Sequence, residues 1–379
     1  MQRAVLLRGT LLAACLIGVL GRGIHPAEAF YVQTNLISDI AGLAIITDPV
    51  LKNSWGISSG PTTPFWVSDQ GTNLTTLYVV NSGGVSKNAG LPQVAIPTTP
   101  SGPQGPTGQV SNIGGGNFVV SGSPARFIFA NLNGTISAWV PALGTTAAIQ
   151  ATTPGAVYTG LAISSGKDRL YAANTAGGRI DVFDSSFAPA NLGASAFANP
   201  FPGLVPFNVQ QIGGKIYVTY AVPGLAAMRA AAEGSGAVAV FDENGALQQK
   251  LINGSKLASP WGLALAPAGF GQFGGDLLVG NFSFVASEIN AFDPLTGLFE
   301  GTIPIDPGPG NTAGGLWGLI FGNGGNGGNP NVLYFADGIN GERDGLFAAI
   351  SVPEPSSLML LVGAMGLLSA LYRVARRAA

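Results

Sequence analysis

Six copies of one short pattern, spaced 48 to 56 residues apart, limit what this chain can fold into. Each copy opens on an aromatic residue or Thr, followed by Gly and then apolar residues. The copies are Trp55-Gly56-Ile57, Thr107-Gly108-Gln109-Val110, Thr159-Gly160-Leu161-Ala162, Trp261-Gly262-Leu263 and Trp317-Gly318-Leu319, with a degenerate one at Phe207-Asn208-Val209. Asn is the residue next best able to adopt φ > 0 after Gly, so the position reads as a backbone constraint at the start of a strand. An apolar run then ends in Asp69, Asn131, Asn174, Asn281 or Asp337, and in Tyr220 in the fourth copy. An alternating strand follows: TLYVVN, TISAWVP, RIDVFD, AVAVFD, EINAFD and GLFAAIS. A fourth, weaker strand shows in PQVAIP (92–97), ALQQKLI (246–252) and LFEGTIPI (298–305).

Four strands in about 50 residues, repeated six times, predict an all-β six-bladed β-propeller over residues 30–352. One four-stranded sheet cannot bury both of its faces, so neighbouring blades must cover them. The sixth copy has only three clear strands. The segment YVQTNLIS at 31–38 supplies the fourth, which closes the ring and removes two free sheet edges. A β-solenoid, the competing architecture, has shorter and stricter repeats of roughly 20–30 residues. The composition agrees with short strands and tight turns: 57 Gly, 26 Pro and only 9% charged residues, too few for the wet face of long helices.

The two ends read differently. Arg3 and Arg8 precede an apolar stretch from Leu11 to Leu20, and Ala27-Glu28-Ala29 supplies a small-x-small cleavage site. This predicts a signal peptide over residues 1–29. A lipoprotein signal at Leu12-Ala13-Ala14-Cys15 is the rival, but the apolar run continues past Cys15. At the other end, Val352-Pro353-Glu354-Pro355 is followed by an apolar run from Leu358 to Leu371 and then by Arg373, Arg376 and Arg377. The run predicts a single hydrophobic helix, and the arginines place its C-terminal end on the cytoplasmic side. Residues 353–379 therefore form a tail distinct from the blades.

The order of motif, apolar helix and basic end resembles the PEP-CTERM sorting signal of Gram-negative bacteria. That resemblance implies an exosortase-type transpeptidase as processing partner, cleavage near Pro353, a transient hold in the inner membrane facing the periplasm, and an exopolysaccharide-producing host. The third repeat, LYAANTAGGRIDVFD, resembles the NHL-type repeat. More broadly the chain resembles an uncharacterised family of propeller proteins with PEP-CTERM tails, which begins with a comparable strand and a Trp-Gly element like Asn53-Ser54-Trp55-Gly56. That family implies fold and export and no chemistry.

The sole Cys and sole His, Cys15 and His25, both precede the expected cleavage site. A mature chain without thiol or imidazole excludes Cys nucleophiles, Ser-His-Asp catalysis, His bases and the usual zinc sites. Residues 30–352 carry 11 Lys and Arg against 17 Asp and Glu, a net of −6, which argues against nucleic acid. Asp69, Asn131, Asn174, Asn281 and Asp337 recur once per blade and are the candidate ligand or metal ring. Ca²⁺ takes six to eight oxygens of this kind. The competing reading, that Asp and Asn make turns, is favoured because nearly every copy has one. The cluster DGINGERDG at 337–345 is expected to be a solvated hairpin loop rather than a Ca²⁺ loop, and NGGNGGNP at 323–330 a flexible loop without the Lys-Ser/Thr of a phosphate cradle. Trp55, Trp261 and Trp317 share one repeat position, so packing between blades is expected over a sugar shelf. Residues 228–233, in an insertion of the fourth copy, are expected to form one helical turn.

The expected function is a non-enzymatic surface or matrix protein whose propeller is a rigid platform for a glycan or protein ligand, with no cofactor required. The alternative is a Ca²⁺-dependent hydrolase of the lactonase propeller type. That type has a Glu at the start of its first propeller strand, where this chain has Ser54-Trp55-Gly56. Fold alone does not choose between the two.

Overall fold

The fold is described from a computed structural model, which covers residues 31–100 and 102–353. The expected signal peptide with Ala27 and Ala29, the sorting residues Glu354 and Pro355, the apolar run and Arg373, Arg376 and Arg377 lie outside the described residues. Among the described residues no helix is long and apolar enough to cross a membrane.

The six repeats fold into six antiparallel sheets arranged as the blades of a propeller. The first motif of each repeat becomes the innermost strand: Ser54–Ser58, Pro106–Ser111, Tyr158–Ile163, Val205–Ile212, Pro260–Leu265 and Leu316–Phe321. Each inner strand packs on the next, and Leu316–Phe321 packs on Ser54–Ser58, so the ring closes. The second motif becomes the neighbouring strand, whose last residue lies opposite the start of the inner one, as in Ser54↔Asp69 and Leu316↔Asp337.

Burial explains the repeat. One apolar cluster fills the space between each pair of neighbouring blades, including the closing pair of sixth and first blades. Between the first and second blades, for example, Trp66 stacks on Phe127 at 4.0 Å between centroids. No blade has a dry face without its neighbours, which is why the repeats must form a ring.

The inner-strand glycines have a different reason from the one the sequence indicated. None of Gly56, Gly108, Gly160, Gly262 and Gly318 has φ > 0, and neither does Asn208. What they share is crowding. A Cβ on Gly56 would stand 2.4 Å from the Thr107 carbonyl oxygen, on Gly108 2.3 Å from Leu161 N, on Gly262 2.3 Å from Trp317 O and on Gly318 2.7 Å from Trp55 O. The inner strands approach too closely for side chains at this level. Asn208 fits because its own side chain lies over Gly160 and donates from Nδ2 to Trp261 O at 2.8 Å.

The sixth blade is completed by the N-terminal strand Val32–Ser38, which pairs antiparallel with Leu346–Ser351 from Val32↔Ser351 to Ser38↔Leu346. Leu36 and Ile37 are buried in the core between the sixth and first blades. Tyr31 stacks on Phe273 of the fifth blade at 5.4 Å and donates its hydroxyl to Phe270 O. Strand number varies: the first and sixth sheets have five strands, the second, fourth and fifth four, and the third blade the fewest. It has three, and its outer edge at Val182–Asp184 is met only by the short stretch Ala188–Ala190.

Candidate functional site

The centre of the ring is filled, not open. Trp55, Trp261 and Trp317 are buried, but they meet on the axis rather than between two blades. Trp55 and Trp317 stack with centroids 3.4 Å apart, and Trp261 meets Trp317 edge-on at 5.6 Å. Phe282 lies 4.3 Å and Phe207 5.8 Å from Trp317. Trp261 reaches across to the third blade, donating Nε1–H to Thr159 O at 2.8 Å. The copies with Thr in place of the aromatic use its hydroxyl to bond the next inner strand: Thr107 to Tyr158 O at 2.7 Å and Thr159 to Phe207 O at 2.6 Å. Beside this aromatic layer the channel shrinks to a void of about 20 Å³, room for about one water.

At the aromatic layer lies a bowl of about 490 Å³, within the size range of small-molecule sites. Trp55, Phe207 and Met228 line it together with Leu132, Val157 and Leu225. Its polar lining is Asn53, Gln70, Arg229 and Glu342, with Thr159 and Thr175. Two insertions build this part. The helix Leu225–Arg229 comes from the fourth blade and starts earlier than the sequence indicated. The four-residue element Ile339–Glu342 comes from the sixth, and is broken by left-handed Asn340 and Gly341. The loop at 337–345 is therefore not a free hairpin. Glu342 is bonded to Arg229, whose Nε donates to Oε2 at 2.7 Å and whose Nη2 donates to the same oxygen. Asn53 Nδ2 donates to Glu342 Oε1 at 3.3 Å and to Gln70 Oε1 at 2.8 Å, while Asn53 Oδ1 accepts Trp317 Nε1–H.

The backbone at this wall is unusual. Asn53, Asn340, Gly341 and Glu342 all have φ between 45° and 70°. For Glu that region costs on the order of 1 kcal/mol and persists only where surrounding contacts fix it. Here three bonds from Arg229 and Asn53 fix the Glu342 carboxylate. The Arg229 guanidinium also lies 5.5 Å from the Phe284 ring centroid. The Arg229–Glu342 pair joins residues 113 apart in sequence. The two segments that supply it stood out separately in the sequence, and nothing in their spacing indicated the contact.

Trp55 differs from its two counterparts in one respect. Its Nε1–H is buried and meets no acceptor, whereas those of Trp261 and Trp317 are bonded. A buried donor without a partner costs about 1–3 kcal/mol.

The once-per-blade Asp and Asn residues do share a position, and all are buried at the end of their second strands. The amides among them serve their own blades. Asn131 Oδ1 accepts Asn133 N–H. Asn174 accepts Gly177 N–H and Val157 N–H and donates to Asp181. Asn281 accepts Ala258 N–H and donates to Lys256 O. Among the described residues no three His, Cys, Asp or Glu side chains converge as a metal would need. NGGNGGNP is also held in place, since Asn323 Nδ2 donates to Gly60 O and Thr63 O and Gly328 N–H donates to Val80 O. Val352 and Pro353 follow the last strand.

Asp69 and Asp337 hold the same position as those amides but lack their bonds. Both Asp69 carboxyl oxygens and Asp337 Oδ1 are buried without a well-formed partner. Burial pushes both acids well above the usual carboxylate range; the charge of Asp48 adds to this at Asp69, where Thr76 opposes it. Both acids therefore keep their protons in the fold where the unfolded chain, titrating near pH ~3.9, has lost them. Their contribution to stability falls as pH rises above that value. Asp337→Asn is expected to raise stability at pH 7 by roughly 1–3 kcal/mol and to flatten the loss between about pH 4 and 7. Urea unfolding at the two pH values measures both, and an Asn variant no more stable than the parent at pH 7 contradicts the assignment.

No family model matches the chain. It is similar to two uncharacterised proteins of Acanthamoeba polyphaga mimivirus. One is 29% identical over 296 residues, 74% of this chain and 76% of that protein. The other is 27% identical over 274 residues, 68% of this chain and 66% of that protein. Among solved structures it is similar to a streptogramin B lyase, with a TM-score of 0.50, 12% identity, and coverage of 86% of this chain and all of that one. The chain is a six-bladed β-propeller. At that identity the likeness extends to the fold alone.

Proposed function

We propose that the protein is an exported propeller that binds a ligand in the bowl at its axis and performs no chemistry there. The observation that carries this reading is the state of the charged groups in the bowl. Arg229 and Glu342 are bonded to each other, and the rest of the lining is aromatic, aliphatic, amide or hydroxyl. Such a surface recognises shape and hydrogen bonding, and it sets out neither a nucleophile with its base nor a convergent ligand set for a metal. The two ends support the accompanying reading of location. A signal peptide ahead of Phe30 and a sorting tail from Pro353 bracket the ring, with an exosortase-type enzyme as processing partner and the cell surface or its exopolysaccharide matrix as destination.

Intact-mass analysis of the protein recovered outside the native host tests the second half. The expected chain begins at Phe30 and ends near Pro353. An extracellular chain that still ends at Ala379 contradicts sorting by the tail.

A further inference from the structure

We propose that the face of the ring opposite the bowl lies against the lipid surface that the tail enters, so that the bowl opens away from the bilayer. The inference rests on the tail as a membrane hold and adds to it an orientation and a contact surface. Strand direction defines the two faces. The bowl stands where inner strands begin and second strands end. Asn53 and Val157 just precede the inner strands Ser54–Ser58 and Tyr158–Ile163, and Gln70 and Leu132 just follow the second strands Phe65–Asp69 and Phe127–Asn131. Neighbouring strands of a blade are antiparallel, so a third strand starts on the bowl's side and ends at the opposite face. Leu346–Ser351 is such a strand, and Val352 and Pro353 leave the ring there. Val32 pairs with Ser351, so the chain also enters the ring at that face.

Reach then holds this face near the bilayer. From Pro353 to Leu358 an extended chain covers at most about 18 Å. As a helix the run from Leu358 to Leu371 spans about 21 Å, less than the ~30 Å of a hydrocarbon core, which leaves no slack to lift the ring away. The same face carries exposed apolar side chains beside the exit. In the fifth blade Leu265, Leu277, Phe292 and Phe299 form one row across the four strands. Leu277 and Phe292 are buried, but Leu265 and Phe299 are exposed, and Leu295 and Leu298 in the turn beyond are 77% and 64% exposed. Exposed Leu247 extends the patch onto the fourth blade, where Gln249 Nε2 donates to Leu295 O at 2.9 Å. Tyr31, beside the exit, stacks on Phe273, and Phe273 lies against Gly301 of the strand that Phe299 opens. Grouped apolar side chains facing water mark an interaction surface. Asp276, Asp293 and Glu300 adjoin Leu277, Phe292 and Phe299 in the chain, so a zwitterionic lipid surface suits the patch better than an anionic one.

The chain from Phe30 to Ala379 contains no cysteine, so a single nitroxide can be attached at a chosen position. Leu298→Cys reports the patch. Val285→Cys is the reference, because Val285 is equally exposed but follows the second strand of the same blade, on the bowl's side. Each labelled chain is reconstituted into phosphatidylcholine vesicles, and its collisions with oxygen and with a water-soluble nickel complex are measured. The oxygen-to-nickel ratio is expected to be several-fold higher for the Leu298→Cys label than for the Val285→Cys label. Adding Leu295→Asp to the Leu298→Cys chain should lower it toward the reference. Equal ratios in chains that float with the vesicles, or a higher ratio at the reference, overturn the orientation and leave the tail as a membrane hold. Chains that do not float with the vesicles overturn both. Nickel exclusion at the Leu298→Cys label before vesicles are added assigns the patch to the tail or to a second copy, and overturns the lipid contact.

Discussion

Deleting residues 30–38 is expected to unfold the whole ring rather than loosen one end. Val32–Ser38 is the fourth strand of the sixth blade although it comes before the other blades in the chain, so the deletion opens the ring at the non-covalent seam within that blade. Leu36 and Ile37 leave the core between the sixth and first blades, and Tyr31 leaves Phe270 and Phe273. The two aliphatic side chains alone account for about 3–6 kcal/mol. The edge of Leu346–Ser351 is exposed as well. The sum is comparable with the whole stability of an ordinary domain, about 5–15 kcal/mol. Thermal unfolding followed by circular dichroism should show a transition lowered by tens of degrees, or none. A truncated chain that melts at the parent temperature contradicts non-covalent closure.

A smaller but still large effect is expected from one methyl group at the axis. Gly56→Ala and Gly262→Ala place a Cβ within 2.4 and 2.3 Å of a carbonyl oxygen of the neighbouring inner strand. That oxygen is backbone and belongs to a closed ring, so relief requires two blades to move apart. Overpacking of a rigid core costs about 1–3 kcal/mol or more, and the upper end is expected here. Gly116→Ala is the matched control, because a Cβ there meets nothing within 4 Å. It should stay within about 0.5 kcal/mol of the parent. If chemical denaturation finds Gly56→Ala and Gly116→Ala equally stable, close approach is not what keeps these glycines.

The ring was legible in the sequence because it is built from a constraint that recurs. Crowding at the axis forces Gly or a fitted Asn once per blade, and the strands beside it inherit that spacing. The same spacing exposed the incomplete sixth repeat, and so the partner of Val32–Ser38. The cause of the glycines was misread, because a missing Cβ serves a tight approach as well as a left-handed turn, and the letters do not separate the two. The third blade was not legible either. Its RIDVFD strand promises a fourth neighbour, but Ala188–Ala190 alone meets its edge before the chain turns away.

The bowl was harder to read than the ring. Nothing in the repeats signals that three tryptophans of one position converge on the axis, since a repeat position fixes a height and not a rotamer. The insertion around Met228 and the polar loop around Glu342 break the repeat, each in its own way, and their contact depends on where two blades point their loops. By contrast, the Asp and Asn ring was a candidate site that its own repetition weakened, because turns recur once per blade as well. In the fold Asn174 and Asn281 bond backbone groups beside their own blades, and the fourth blade has Tyr220 at this position. Asp69 and Asp337 depart from that pattern through ionisable side chains, at a cost to stability.

The most direct test of the account is a crystal structure of the protein isolated from its native host without added ligand or metal. The account predicts non-protein density in the bowl, against Phe207, Met228 and the Arg229–Glu342 pair, and no ion at Asp69 or Asp337. An ion coordinated by Asp69 or Asp337, with the bowl holding only water, would contradict it and favour the Ca²⁺-dependent hydrolase.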